Sequence, residues 1–523
     1  MHDGQQKGLW MTRKEIRTQY SGFIFFTAKL ISVATGIAFT LMITRSVTEK
    51  DFGAYGTLNI SLGFFTILSS VVPFWLMRFV ARDKEGAVKT GIVANMIIAG
   101  IAVLVYITLF PLIITAFRLE DYVVPYAIVT LQIIELYFIA ALEACLQAQR
   151  PHFVGYGLLV SEGCKVILAY MLIVQLRLSF LGIVLSLAIA FGVKIAFYFR
   201  TIWEELRSKI NFKYIKEWLK GSSFNMYNIA GDRIAAIIFL MIPIYGGQIS
   251  TSYYEAALSI AGIVTYSSFL AYALYPKLLA ENTIEEVTVS LKTVLMFAIP
   301  MTVGILAIPS SYLIILKGVY VVATPVLAIL AVDSLILTTS SIFSTVLFGI
   351  EKFDEKAEIP FRQVIRSRLF ILFSLPYVHS LITLPTAFYL LNNFANNQPL
   401  LVSTYVTAIN TLAHFAMFVV LYIIVRKAVK VTIPWRNITK YVFASLVMAP
   451  ILIAVHPTRL SLTLVVTAVG GIFYLTLLML IDKETRKLVA AILRQIRKNK
   501  LIAHALLFHS SMKSALKAFM KAS

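Results

Sequence analysis

The chain has 523 residues, 59% hydrophobic and only 14% charged, with a mean hydropathy of +0.82, a composition that excludes an ordinary soluble domain. Its net charge of +21 points to nucleic acid only if the basic residues cluster on a soluble surface, and they do not. The two cysteines, Cys145 and Cys164, both fall in apolar runs, which argues against a disulfide framework or metal cluster and for core thiols.

Apolar runs of roughly 20 to 27 residues recur from end to end, each long enough to cross a hydrocarbon layer of about 30 Å as a helix. A β-barrel needs segments of about ten residues with alternating polarity instead. Fourteen crossings are predicted, at 20–45, 54–79, 88–116, 123–149, 153–175, 178–202, 221–245, 250–280, 287–316, 319–349, 367–391, 399–425, 438–456 and 459–481. The expected fold is therefore an all-α polytopic membrane protein. Residues 1–19 are polar and basic, and no short apolar core with a cleavage site follows them, so the first helix is expected to be retained.

Basic residues set the expected orientation. Six of the 47 Lys and Arg fall on the side opposite the termini (Arg45, Lys50, Arg118, Arg177, Lys317 and Arg459) and four fall inside helices (Lys29, Lys165, Lys194 and Arg233). The rest lie on the side of the termini, which the positive-inside rule makes cytoplasmic. The segment 203–220 reads as an interfacial linker. The basic, apolar-interleaved tail 482–523 reads as a helix on anionic lipid of the inner leaflet or as a solvated tail, and nucleic acid is not expected as a partner.

A shift of 199 residues superposes predicted helices 1 and 2 on 7 and 8. LMI at 41–43 meets LMI at 240–242, Tyr55 meets Tyr254, Gly63 meets Gly262, and Thr66 meets Thr265. With a slip of one, Val123 and Val124 meet Val321 and Val322, and Glu135 meets Asp333. An even number of helices separates the copies, so two six-helix lobes, 20–202 and 221–425, are expected about a pseudo-two-fold along the membrane normal, with helices 13 and 14 over 426–481 as an addition. Such lobes enclose a central substrate cavity in secondary transporters.

Charges inside the membrane are functional candidates by default. Predicted helix 1 carries Lys29, above Ser32 and Gly36, which either faces a cavity or snorkels to the surface. Predicted helix 4 carries Glu135, Glu143 and Gln147 on one face; Glu162 and Lys165 on helix 5 are spaced to satisfy each other. On helix 7, Asn225, Asn228 and Asp232 share a face, Gly231 admits a neighbouring helix, and Arg233 projects about 100° from Asp232. These charges either bind substrate or brace the helix. Lys29 and Arg233 suit a phosphate or diphosphate anion. Glu135 and Asp333, and Asp232 with them, can hold a proton, Na⁺ or a basic partner, or serve as structural acids. His414 on helix 12 reads as a core imidazole. Prolines at 73, 243, 300, 309 and 376 break helical hydrogen bonds. No Walker A, GxGxxG, HExxH or CxxC pattern occurs, so no cofactor is expected, and H⁺ or Na⁺ coupling remains open.

The stretch SGFIFFTAKLISVATGIAFTLMITRSVTEKDFGAYGTL, with its loop TEKDFGAYG at 48–56, resembles the opening of the polysaccharide-exporter, Wzx-type flippase family. Asp232 followed by YYEAA at 253–257 extends the resemblance, while the charged loop EKFDEKAEIPFRQVIRSR departs from it. The resemblance implies a twelve-helix, two-lobed core with two extra helices. It also implies flipping of a polyprenyl-diphosphate- or dolichyl-phosphate-linked oligosaccharide to the outer leaflet, beside glycan-assembly enzymes. On that reading the protein is a transporter and not an enzyme: Lys29 and Arg233 bind the anion, Asn225 and Asn228 meet sugar hydroxyls, and Asp232, Glu135 and Asp333 tune or couple. A cation-coupled exporter of organic cations is the alternative, disfavoured by Lys29 and Arg233. A membrane glycan polymerase or ligase is a further one, disfavoured by the short, uncharged outer loop NNFANNQPL.

Overall fold

The computed structural model describes residues 24, 27–271, 285–350, 367–395, 397–429 and 432–486. The N-terminal segment 1–19, the loop 351–366 and the tail beyond residue 486 lie outside the described residues. Those described form an all-helical membrane protein, with no strand among them.

Twelve helices are long and apolar enough to cross a membrane, and the pair Glu49–Phe65 and Ile67–Ala81, bent by 53°, makes a thirteenth crossing. The run Asn225–Ala271 spans 47 residues, about 70 Å as one straight helix, more than twice a hydrocarbon core. Its neighbours show that it doubles back. Along the helix that starts at Glu49, Gly53 lies against the Gln248 backbone, Gly56 against the Glu255 stem, and Gly63 against the Arg233 guanidinium. Residues 233 and 255 both lie further along that helix than 248, so the chain reverses at Gly247, whose φ of 68° and ψ of −168° suit glycine alone. The expected fourteen crossings result: α1 (Thr27–Ser46), α2 (49–81), α3 (Ala87–Ala116), α4 (Val123–Gln149), α5 (Pro151–Gln175), α6 (Ser179–Thr201), α7 (223–246), α8 (248–271), α9 (Glu285–Ala307 and Pro309–Leu316), α10 (Thr324–Ile350), α11 (Arg368–Leu390), α12 (Pro399–Ala428), α13 (Trp435–Val455) and α14 (Leu460–Ile481). The linker forms a helix, Phe212–Gly221, seated on the first lobe through Trp218 and Tyr214 against Phe79.

The repeat is visible in irregularities as well as in regular helix. α2 loses α-geometry over Ile67–Ser70, and α8 turns into a 3-10 helix over Gly262–Ala271, the matching position. α4 and α10 each follow a short 3-10 turn, Glu120–Tyr122 and Gly318–Ala323. α5 and α11 both end in a π-turn, at Tyr170–Gln175 and Leu391–Ala395. The bend of α2 sits just before Pro73, which cannot donate to the carbonyl four residues earlier. Cys145 is buried as expected, but Cys164 is only half-buried.

The distribution of apolar packing decides the shape. Toward the face opposite the termini (the far face), one cluster runs through both lobes, joining Ile43, Leu58 and Tyr126 to Ile242, Ala257 and Leu327. Toward the terminal face, packing divides: Leu76, Leu142 and Trp218 belong to one lobe's cluster, and Leu291, Val346 and Val425 to the other's. Among the described residues the lobes thus share a core at one face and keep separate cores at the other.

α13 and α14 pack on α9 through Met448 and Tyr474 against Leu295 and Met296. A polar clamp closes this unit just beyond α14: Lys440 Nζ donates to Asp482 Oδ1 at 2.8 Å, and the Thr485 hydroxyl donates to Asp482 Oδ2 at 2.6 Å. Burial pushes the Asp482 carboxyl up, but these hydrogen bonds outweigh it and hold it below its ordinary value of 3.8. A depressed carboxylate stabilises the fold above its unfolded value, and that contribution is lost as pH falls through the folded value. Asp482→Asn is therefore expected to cost about 2 kcal/mol at neutral pH. Thermal unfolding in detergent checks this, and the gap to the parent protein should close only in acid below 3.8.

Candidate functional site

The seam between the lobes is built on the TEKDFGAYG stretch. Thr48 caps α2, with its side chain accepting from the Asp51 N–H and the Asp51 carboxylate accepting from the Thr48 N–H, a reciprocal pair. Asp51 also accepts from the Tyr122 hydroxyl at 2.9 Å and the Ser179 hydroxyl at 2.6 Å, which fixes the start of α2 against α4 and α6. So anchored, α2 presents Gly53, Gly56 and Gly63 to the α7–α8 hairpin. A methyl at Gly53 would run into the Gln248 carbonyl, so the two backbones approach this closely only with glycine there.

Polar contacts then latch the far face. Gln248 is buried and bridges the lobes: its Oε1 accepts from the Thr57 hydroxyl at 2.7 Å, and its Nε2 donates to the Phe117 carbonyl at 2.7 Å. Arg45 donates twice to the Ile315 carbonyl, at 3.1 and 2.7 Å, and Lys317 donates to the Val47 carbonyl at 3.1 Å. Phe52 meets Tyr320 edge to face at 5.8 Å. Arg45 and Lys317, read from sequence only as loop charges of one face, thus cross the seam in opposite directions.

Arg233 lies further along the same α2–α7 contact. Its Nη1 lies against Gly63 of the other lobe, and its guanidinium makes no hydrogen bond or ion pair with any described residue. Asp232, one residue away, forms no salt bridge with it and is exposed. Asn225 and Asn228, half-buried on the same helix, also bond no other described residue through their side chains. A five-donor cation at a lobe boundary with no acceptor among the described residues can receive a bidentate anion. Gly231 packs against Tyr377 of α11. There Tyr377 stacks on Tyr227 at 4.7 Å and donates to the Tyr227 carbonyl at 2.7 Å, bracing the Asn-bearing turn. Lys29 lies on the exposed side of α1, on the turn beneath Thr35. The Thr35 hydroxyl donates to Glu162, which also pairs with Lys165 at 2.7 Å as its spacing predicts.

Repeat-related Glu135 and Asp333 are buried alike, at 6% and 5% exposure, but their partners differ. Glu135 faces Gly192 and leaves Oε2 without a partner among the described residues. Asp333 Oδ1 lies 2.8 Å from His414 Nδ1. His414 is thus a satisfied imidazole, and no signal in the sequence of α12 pairs it with a residue 81 positions away. The pair of Lys194 with Glu143 at 2.7 Å, joined by the Tyr198 hydroxyl at 3.0 Å, is likewise set by the packing of α4 on α6. Among the described residues no group of His, Cys, Asp and Glu is arranged to hold a metal ion.

No protein-family model and no curated protein matches this chain. Solved structures do match it in fold. The lipid II flippase MurJ in an inward closed conformation aligns with a TM-score of 0.67 at 16% identity, over 89% of this chain and 100% of the other. A point mutant of the Vibrio cholerae MATE transporter VcmN aligns with a TM-score of 0.50 at 13% identity, over 79% of this chain and 98% of the other. The fold is thus that of two-lobed membrane flippases and transporters.

Proposed function

We propose that this protein is a flippase that moves a polyprenyl- or dolichyl-phosphate-linked oligosaccharide across the cytoplasmic membrane by rocking its two lobes, with both termini in the cytoplasm. The observation that carries this reading is the shared core at the far face above separate lobe cores, with the Arg233 guanidinium on the α2–α7 contact hydrogen-bonded to no described residue. A seam closed on one side and divided on the other is the geometry alternating access requires, and the likeness to a lipid II flippase fold supports a lipid-linked cargo. In this reading the far face is the outer one. Arg233 and Lys29 hold the phosphate, Asn225 and Asn228 meet the sugar, and Asp232, Glu135 and Asp333 tune the site or couple it to H⁺ or Na⁺. Lipid tails stay in the bilayer, anionic lipids meet the basic tail, and glycan-assembly enzymes supply and consume the cargo.

The fold is equally compatible with a cation-coupled exporter, but an open guanidinium at the seam favours an anion. The test is reconstitution of the full chain into vesicles carrying a fluorescent lipid-linked oligosaccharide. Transfer between leaflets at least about tenfold faster than in empty vesicles, a barrier difference near 1.4 kcal/mol, is expected. Accumulation of small organic cations without such transfer would decide for the exporter.

A further inference from the structure

Three helices of the second lobe converge on a buried polar chain around Asp333. Asp333 comes from α10, His379 from α11, and Asn410 and His414 from α12. His414 Nδ1 lies 2.8 Å from Asp333 Oδ1, and the Asn410 side-chain nitrogen, 3.3 Å from the same Nδ1, makes no hydrogen bond to it while Nδ1 carries the proton shared with Asp333. The His379 ring stacks on His414 at 5.3 Å between centroids, tilted by 26°. His379 is 3% exposed, yet beyond the nearby Asn410 amide neither of its ring nitrogens, nor the buried Thr383 and Thr411 hydroxyls, has a hydrogen-bond partner among the described residues. Buried polar atoms are almost always satisfied, so a cluster of orphans around two imidazoles and a carboxylate marks a place built to receive something small.

We propose that the Asp333–His414–His379 chain is a proton-binding site that takes up and releases one proton at His414 Nε2. In the loaded state the imidazolium donates its Nδ1 proton to the Asp333 carboxylate and carries the second proton on Nε2. On release the Nε2 proton leaves, and Nδ1–H stays bonded to Asp333, which remains ionised throughout. Two stacked imidazoles beside one carboxylate cannot both be charged without net positive charge in a low-dielectric site, so occupancy is limited to one proton. The His414 side chain is 21% exposed against 7% for Asp333, which gives the proton its way in at the histidine.

The charge of this chain reaches the seam. The Tyr254 hydroxyl lies within electrostatic range of both Asp333 and Glu255, and the Glu255 stem packs against Gly56 of α2. Tyrosines apart, the other ionisable side chains described on the helices around the chain include Asp232 and Arg233 on α7 and Lys292 on α9, paired with Glu484. Arg368 on α11 and Arg426 and Lys427 on α12 lie at the terminal-face ends of their helices. Loading neutralises the chain and strengthens the α2–α8 contact; release leaves a buried net negative charge and loosens it. This consequence rests on the alternating-access reading, whereas the site itself does not.

Solid-state ¹⁵N NMR of the full chain in lipid, labelled at its seven histidines and assigned with His414→Gln and His379→Gln, tests the site. His414 should gain a single proton at Nε2 as pH falls, with Nδ1 protonated throughout. Asp333→Asn should abolish that Nδ1 preference and weaken proton binding at least tenfold. A His414 that keeps one protonation state at every pH at which the protein stays folded, or is unmoved by Asp333→Asn, overturns the proposal. Spin labels at exposed Glu120 and Val322, with Cys145 and Cys164 replaced by Ala, read the seam: their separation should shift with pH, and His414→Gln should remove the shift. Titration without movement overturns the coupling. Titration without flipping of lipid-linked oligosaccharide leaves the proton site standing and rejects the flippase reading instead.

Discussion

Arg233→Gln is expected to slow flipping of lipid-linked oligosaccharide by about a hundredfold or more, because each charge-assisted hydrogen bond to a phosphate contributes about 1.5–3 kcal/mol and a guanidinium offers two in parallel. Arg233→Lys should fall between, since an ammonium keeps the charge and loses the fork. The side chain rests on Gly63 and hydrogen-bonds no described residue, so neither change should lower the thermal-unfolding midpoint appreciably. That combination separates a binding residue from a brace. A structural Arg233 would give the reverse, a destabilised protein whose surviving fraction transports normally, and near-parent flipping by a stable Arg233→Gln protein would remove the residue from the mechanism.

The second large effect is expected at Gly53. Any side chain there meets the Gln248 carbonyl, a backbone atom that cannot swing aside, so Gly53→Leu must part α2 from α8. Overpacking a tight contact costs about 1–3 kcal/mol, and that cost falls only on the state in which the far face is closed. The equilibrium should move roughly ten- to a hundredfold toward opening at that face, read as a longer distance between labels at Glu120 and Val322. Flipping should fall with it, because a cycle that cannot re-close its outer seam stalls. Gln248→Leu tests the same latch by a different route: it removes the bonds to Thr57 and Phe117, each worth about 1 kcal/mol, without adding bulk at Gly53. Unchanged label distances in both variants would mean that the seam is not a gate.

The TEKDFGAYG stretch carried a family resemblance in the sequence, and the structure supplies the physical content of that likeness. Thr48 and Asp51 cap α2 reciprocally, while Gly53 and Gly56 let it touch the second lobe. The polar face of α7 was legible because 3.6-residue periodicity collects Asn225, Asn228 and Asp232 without knowledge of neighbours. The break between α7 and α8 was legible as two apolar runs, although the helix is continuous enough to disguise it until Gly247 is seen to reverse the chain. His379 and His414 were not legible: α11 and α12 each carry one histidine in an apolar run, and nothing in either run records that their rings stack. Likewise Gln248 reads as a loop polar residue until both of its partners, 191 and 131 positions away, are in place.

By itself the sequence determined the solvent and the secondary structure of this protein. A bilayer leaves no water for backbone groups, so every long apolar run must be a helix, and the distribution of Lys and Arg sets its expected orientation. It also determined the two-fold plan, since a duplicated run of helices repeats its hydropathy and its irregular points. Only the tertiary structure decided which charges are satisfied and which are left open. Beyond the Lys165 that its own spacing supplies, Glu162 found Thr35, Glu143 found Lys194, and Asp333 found His414, whereas Arg233 and Glu135 Oε2 found no hydrogen-bonding partner among the described residues. The reason is that periodicity assigns a residue to a face of its own helix, while an electrostatic partner is supplied by another helix, at a depth and angle that only packing fixes.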